Sequence, residues 1–229
     1  DESVILIVGD LGFNVIEPFQ NEFPERFINA GISEQNMASM AAGLASEGYK
    51  VFIYSIGNFP TFRCAEQIRN DICYHNYDVT IVTVGGGLSY GNLGYSHHTI
   101  QDYGLMRLFP EMSILSPGDP NEVLSCMNFI FKDKFPKYLR LRKAGETNFT
   151  KSQNLRSGEI YPVALNDSEN VFITTGNGLS IATNLIKNNI KYKDYSLYTL
   201  PIWGPKYSKD ILGKISNFKK IITVEDHLK

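Results

Sequence analysis

The feature that most constrains this chain is a run of five apolar residues, Val4-Ile5-Leu6-Ile7-Val8, closed by Gly9-Asp10. A strand with one wet face alternates apolar and polar residues. A strand that is apolar at every position has to be covered on both faces, the condition of a parallel sheet. Strand-length apolar stretches return at 51–56, Val79–Val84, Ser113–Leu115 and 138–141. Helical patterns lie between them. In 34–46, Met37, Met40, Ala41 and Leu44 recur at three- and four-residue spacing, Ser33 stands where an N-cap belongs, and Gly48 supplies the stop. Pro60 suits the first turn of a helix running to about Tyr74. Further helices are expected at 101–108 and 122–131. Strands and helices in alternation predict an α/β fold with a parallel sheet.

The stretch 148–157 is polar and lacks periodicity, and it reads as a linker between a first domain, 1–147, and a smaller α/β domain, 158–229. The second repeats the alternation: strand 171–175, helix 179–187, strand 196–200, helix Ser208–Ile215, strand Lys220–Val224. It is short, and both ends of the chain are expected to lie inside a longer natural product.

Charge and cysteine content exclude several function classes. With 24 acidic and 22 basic residues there is no electrostatic footprint for nucleic acid or an anionic membrane. The apolar runs fall far short of the ~20 residues that span a bilayer. Cys64, Cys73 and Cys126 form neither a CxxC nor a Cys/His cluster. The chain is therefore expected to hold no metal of its own and to work in a reducing, cytoplasmic setting.

In open parallel sheets, ligands bind beyond the carboxyl ends of the strands. The unusual residues gather there: Asp10 after the first strand, Phe59 and Phe62 after the third, His97 and His98 in the loop after the fourth. Glu34 opens a helix, where the N-terminus favours an anion. It is either an ordinary first-turn acid behind a cap or a buried carboxyl that shares a proton with a ligand nitrogen. Phe59 and Phe62 are core aromatics at i, i+3 or a stacking platform. Asp10 is an Asx-turn residue or a charge beside a ligand. Arg140 and Arg142 share one strand face and are an ion-pair partner or an anion site. His75, at a helix end, and His227 carry no expected role in chemistry.

Taken in order, these segments resemble the transketolase family. The glutamate segment is Gly31-Ile32-Ser33-Glu34-Gln35-Asn36-Met37, followed by Ala41-Ala42-Gly43-Leu44-Ala45. Gly9-Asp10-Leu11-Gly12 resembles the start of that family's pyrimidine-binding domain, and Phe59-Pro60-Thr61-Phe62 its aromatic segment. Gly94-Tyr95-Ser96-His97-His98-Thr99-Ile100-Gln101-Asp102 resembles its histidine loop. Arg107-Leu108-Phe109-Pro110-Glu111-Met112, Ser116-Pro117-Gly118-Asp119-Pro120 and Tyr138-Leu139-Arg140-Leu141-Arg142 complete the domain, and the remainder, ending in Thr223-Val224-Glu225-Asp226-His227, resembles the family's C-terminal domain.

The resemblance implies roles. Glu34 would hydrogen-bond N1′ of the aminopyrimidine of thiamine diphosphate and favour the imino tautomer that takes up the thiazolium C2 proton. Phe59 would stack on the pyrimidine with Phe62 beside it, and Asp10 would help balance the thiazolium charge. His97 would contact substrate and move protons, with His98 behind it. Arg142, aided by Arg140, would hold a substrate phosphate or carboxylate. The reaction implied is transfer of a two-carbon ketol unit from a ketose to an aldose.

Two departures narrow this. The family's phosphate-contacting histidine and hydroxyl-reading aspartate align with Gly85 and Leu93, which puts the usual pentose phosphates in doubt. The Gly-Asp-Gly motif that holds the diphosphate through Mg2+ or Ca2+ is absent; Pro117-Gly118-Asp119-Pro120 does not supply it. The resemblance is thus to the C-terminal subunit of a split transketolase. A second subunit would then contribute the Gly-Asp-Gly domain and the metal in an α2β2 heterotetramer. Alternatives are the β subunit of a 2-oxo-acid dehydrogenase, a deoxyxylulose-phosphate-synthase-like enzyme, and a non-catalytic interaction subunit on the same fold.

Overall fold

A computed structural model describes residues 2–228. The first part of the chain forms β1 (Val4–Val8), α1 (Glu17–Glu22), β2 (Phe27–Asn29), α2 (Glu34–Ser46), β3 (Lys50–Ile56), α3 (Asn58–Phe62), α4 (Ala65–Gln67), β4 (Val79–Val84), α5 (Asp102–Met106), β5 (Ser113–Leu115), α6 (Pro120–Lys132) and β6 (Lys137–Arg140). After a stretch without helix or strand come β7 (Tyr161–Ala164), β8 (Asn170–Thr174), α7 (Gly178–Asn188), β9 (Ser196–Thr199), β10 (Ile202–Trp203), α8 (Ser208–Ile215) and β11 (Lys220–Val224).

Two sheets result, one of seven strands in the order β10-β5-β6-β4-β3-β1-β2 and one of four in the order β11-β8-β9-β7. Strands β1 to β6 pair in parallel. The continuous apolar run in β1 has the cause its pattern predicts. Ile5 and Ile7 belong to a core beneath α2, while Val4 and Leu6 pack into a second core on the opposite face. Val51 and Ile53 of β3 join the first core, Phe52 and Tyr54 the second. Each buried side chain of this size contributes about 1.5–3 kcal/mol, so covering both faces is what makes these strands stable.

The structure corrects several local expectations. Ser33 is the N-cap of α2 by position, but it makes no side-chain cap. Its hydroxyl donates to Ala30 O at 2.6 Å instead and fastens the preceding turn. The helix expected over 60–74 is not one α-helix. It is α3, α4 and then a π-helical segment, Ile68–Cys73. The wider i→i+5 winding, seen in Tyr74 N donating to Arg69 O, brings Ile68, Ile72 and Cys73 into the core together. The short β2 and α1 carry too few residues to show a period.

Within 148–157 the chain has no regular structure yet is pinned to the first sheet's layer: Phe149 N and Thr150 N donate to the Asp119 carboxylate. The later segment also returns a strand to the first sheet. Ile202 and Trp203 pair antiparallel with Leu115 and Ile114. Among the described residues no helix is long and apolar enough to cross a membrane.

Candidate active site

Strand order reverses at β1, with β2 on one side and β3 on the other. The crevice beyond the carboxyl ends at such a reversal is where open α/β sheets bind ligands. Asp10 follows β1, Glu34 follows β2, and Asn58 and Phe59 follow β3, so this topology brings three predicted site segments to one edge.

The turn from β2 into α2 is built by side-chain hydrogen bonds. Asn29 Nδ2 donates to Asp10 Oδ1 at 3.0 Å, and Asn29 Oδ1 accepts from Gly31 N at 2.9 Å. Asp10 itself adopts φ 54°, a left-handed conformation that Asp tolerates better than most residues. Glu34 then enters the first turn of α2 only 5% exposed. Gly9 lies under it: a Cβ there would come within 3.9 Å of Glu34 Cγ. Asp10 thus acts on the turn that delivers Glu34.

Glu34 Oε1 accepts from Arg63 Nη1 at 3.0 Å. The Arg63 guanidinium carbon lies 4.1 Å from the centroid of the Phe59 ring. On Phe59 the His97 ring packs at 5.3 Å with a 70° interplanar angle. Glu34, Arg63, Phe59 and His97 therefore form one contact chain. His97 Nδ1 faces Ser96 Oγ at 3.0 Å, and among the described residues Nε2 has no hydrogen-bond partner. Phe62 is 47% exposed. An open cleft lined by Ile32, Ser33, Glu34, Gln35, Asn36 and Arg63 gives access to the carboxylate.

His98 turns into its own loop. Its Nε2–H donates to Gly91 O at 3.1 Å, and its carbonyl accepts from Asn58 Nδ2 at 2.7 Å. The loop is closed on itself by a bridge in which Gly87 N donates to Thr99 O and Thr99 N to Gly87 O, at 2.8 and 2.9 Å. Thr99 seats directly on Gly57, where a Cβ would meet Thr99 Oγ1 at 2.0 Å. Only a glycine permits that approach.

Arg140 and Arg142 separate. Arg140 is buried and fully committed. Its Nε donates to Asp102 Oδ2 at 2.8 Å, Nη1 to Asp226 Oδ1 at 2.7 Å, and Nη2 to Thr99 O at 2.6 Å. Of the two roles open to Arg140, an ion-pair partner or an anion site, this arrangement is that of an ion pair: its donors are spent on protein acceptors and it is 3% exposed. His227, beside Asp226, stacks on Tyr103 at 5.3 Å and accepts from Gly104 N at 3.1 Å. Arg142 is partly exposed, pairs with Glu146 at 3.4 Å, and lines a separate cleft with Asn177, Glu225 and His227. That cleft shares no lining residue with the one at Glu34.

Sequence reasoning missed Arg63, Gly57, Asp102 and Asp226. Arg63 had one local signal, its place four residues after Phe59, a helical-neighbour spacing for a cation and an aromatic ring. The other three are recognised only by what the fold brings to them. Among the described residues no group of three His, Cys, Asp or Glu side chains could hold a metal ion.

Comparison with known proteins gives the family to which this fold belongs. Residues 1–145 match the family profile described as transketolase, pyrimidine binding domain. A putative transketolase C-terminal section of Methanocaldococcus jannaschii is 32% identical over 234 residues, covering 99% of this chain and 72% of that protein. One subunit of the apulose-4-phosphate transketolase of Actinobacillus succinogenes is 30% identical over 215 residues, 93% of this chain and 68% of that protein. The 1-deoxy-D-xylulose-5-phosphate synthase of Alkaliphilus oremlandii is 30% identical over 238 residues, covering 100% of this chain but 37% of its own length. Among solved structures, a split-gene transketolase described as an inactive β4 tetramer superposes with a TM-score of 0.86 at 24% identity, over 99% of this chain and 74% of that one. A transketolase of Pichia stipitis superposes at 0.78 and 19% identity, over 93% and 34%. The two structures share the fold; the family match and the relatives add descent, and on them the chain belongs to the transketolase family as a transketolase-like, thiamine-diphosphate-dependent subunit carrying the pyrimidine-binding domain.

Proposed function

We propose that this chain supplies the pyrimidine-binding half of an enzyme that moves a two-carbon ketol unit from a ketose, most simply a phosphorylated one, to an aldose. The observation that carries this is the Glu34 site: a nearly buried carboxylate whose charged neighbour is a planar nitrogen donor lying on Phe59. A carboxylate acceptor beside an aromatic face fits an aminopyrimidine, which offers a ring nitrogen and a flat surface.

Thiamine diphosphate, when bound, supplies a thiazolium carbon that can carry the two-carbon unit between sugars. Glu34 holds a proton at the N1′ position of the ring, and Phe59 supports the ring by stacking, worth about 0.5–1.5 kcal/mol beyond area burial. Asp10 fixes the turn that aims Glu34. His97, packed edge-to-face against Phe59, takes and returns substrate protons. Phe62 and the exposed Ile32 present apolar surface beside the cleft. Arg142 supplies a planar fork for a phosphate or carboxylate.

The diphosphate and its magnesium or calcium ion are assigned to a second subunit carrying the Gly-Asp-Gly domain, in an α2β2 assembly. Relatives named as a C-terminal section and as one subunit of a transketolase support the division of labour. The apulose-4-phosphate relative favours an uncommon sugar phosphate, in keeping with Gly85 and Leu93 at the two altered loop positions. A second reading, condensation of a 2-oxo acid with an aldose phosphate, is favoured by the synthase relative. The test is to assay this chain with and without its co-expressed partner, with thiamine diphosphate and magnesium, on ketose phosphates and on pyruvate. Ketol transfer by the pair alone is expected. Release of carbon dioxide from pyruvate supports the second reading, and activity of the chain by itself removes the partner from the account.

A further inference from the structure

Arg63 makes, within this one chain, both contacts that the proposed reading gives to the aminopyrimidine. Its guanidinium donates to Glu34 Oε1 at 3.0 Å while its carbon lies 4.1 Å from the Phe59 ring centroid. Guanidinium and aminopyrimidine share the relevant chemistry: both are flat, rich in nitrogen, and present an N–H to a carboxylate while offering a face to a ring. The position is also one that can be vacated. The Arg63 side chain is 50% exposed, whereas that of Glu34 is 6% exposed. Arg63 is the C-cap of the short α3, next to Cys64, which is the N-cap of α4, so it stands at a break between two helical pieces. Its ion pair is with Glu34, and the cleft it helps to line opens on the same carboxylate.

We infer that Arg63 is a built-in occupant of the aminopyrimidine site: it neutralises Glu34 and covers Phe59 while the site is empty, and the cofactor ring enters by displacing it. This rests on the proposed reading of Glu34 and regulates that same site. The purpose is physical. An almost buried carboxylate without a partner is costly, and a half-exposed ion pair is weak enough to exchange for a ligand. A subunit that meets its cofactor only on assembly with a partner thus keeps its acid satisfied in the meantime.

The experiment is a titration of the purified full chain with 4-amino-5-hydroxymethyl-2-methylpyrimidine, the isolated ring portion of thiamine, followed by the ring resonances of Phe59 and His97 and by calorimetry. Wild type is compared with Arg63→Gln, Arg63→Met, Glu34→Gln and the double variant Arg63→Gln/Glu34→Gln. Arg63→Met keeps the packing on Phe59 and so separates loss of charge from loss of fold. With a screened ion pair and an exposed cation–π contact as competitors, both Arg63 variants are expected to bind the pyrimidine about three- to ten-fold more tightly than wild type. In wild type the Arg63 Nε–H resonance shifts as the ring binds. Equal or weaker binding by the Arg63 variants, or no binding by any variant, overturns the inference. If the double variant binds as tightly as Arg63→Gln, Glu34 does not read the ring, and it is the proposed function that falls. If it loses the gain, both stand.

Discussion

The guanidinium of Arg140, at the end of β6, reaches Asp226 beyond β11 with Nη1 donating to Oδ1 at 2.7 Å, and the same side chain donates to Asp102 and to the carbonyl of Thr99. One buried cation therefore ties the C-terminal segment to the loop that carries His97. Replacing it leaves the fully buried Asp102 carboxylate without its counter-charge, with only the Tyr138 hydroxyl donating to it, at 2.6 Å. Breaking such a pair from one side costs about 3–5 kcal/mol. Arg140→Met is expected to lower folding stability by that amount, read as a fall in urea midpoint. Asp226→Asn, which leaves Asp102 in place, is expected to cost about 1.5–3 kcal/mol and to speed amide exchange at Gly87 and Thr99, the two ends of the loop bridge.

Glu34→Gln keeps the shape of the side chain and removes its charge. Activity of the assembled enzyme is expected to fall by about 10²–10⁴, the range for loss of a positioned proton-transfer group. The urea midpoint of the chain is expected to stay close to wild type, because the lost partner, Arg63, is half-exposed and can turn to water. A rate near wild type would show that Glu34 is a structural acid.

Phe59→Ala removes the platform shared by Arg63 and His97. Cofactor affinity of the assembled enzyme is expected to drop about ten-fold, the equivalent of the upper stacking contribution. Fluorescence titration with thiamine diphosphate measures it. An unchanged dissociation constant would place the cofactor elsewhere.

Gly57 accepts the Thr99 side chain where a Cβ would stand 2.0 Å from its hydroxyl oxygen. Gly57→Ala is expected to push the histidine loop off the sheet at a cost of about 1–3 kcal/mol. The loss of the Gly87–Thr99 bridge would be visible in amide exchange, while exchange in β1 and β3 would be unaffected.

Glu122 gives a pH dependence with a definite sign. It lies buried in the first turn of α6, with Gly118 N donating to Oε2 at 2.7 Å. Burial pushes its carboxyl up to about 7, partly offset by that N–H. The folded state thus holds its proton more firmly than the unfolded chain. Its contribution is fully present below the ordinary carboxyl value and is lost as pH rises through about 7, a change of about 3 kcal/mol. Chemical denaturation at pH 5 and pH 8 is expected to show this fall, and Glu122→Gln to flatten it.

Much of the fold was legible in the sequence because strand burial and helix periodicity are properties of neighbours along the chain. The apolar run Val4-Ile5-Leu6-Ile7-Val8 required cover on both faces, and the two cores provide it. Glu34 was recognisable as a carboxylate opening a helix, and its ordered neighbours carried the family. What the sequence left open depends on partners that chain separation conceals. Arg140 could equally be an anion site or an ion pair until Asp102 and Asp226, 38 and 86 residues away, are brought to it. β10 is two residues long and exists only because β5 offers an edge. Glu34 itself is a local fact, but its burial, its exchangeable partner Arg63 and the aromatic face beneath that partner arise only when the ends of β1, β2 and β3 converge.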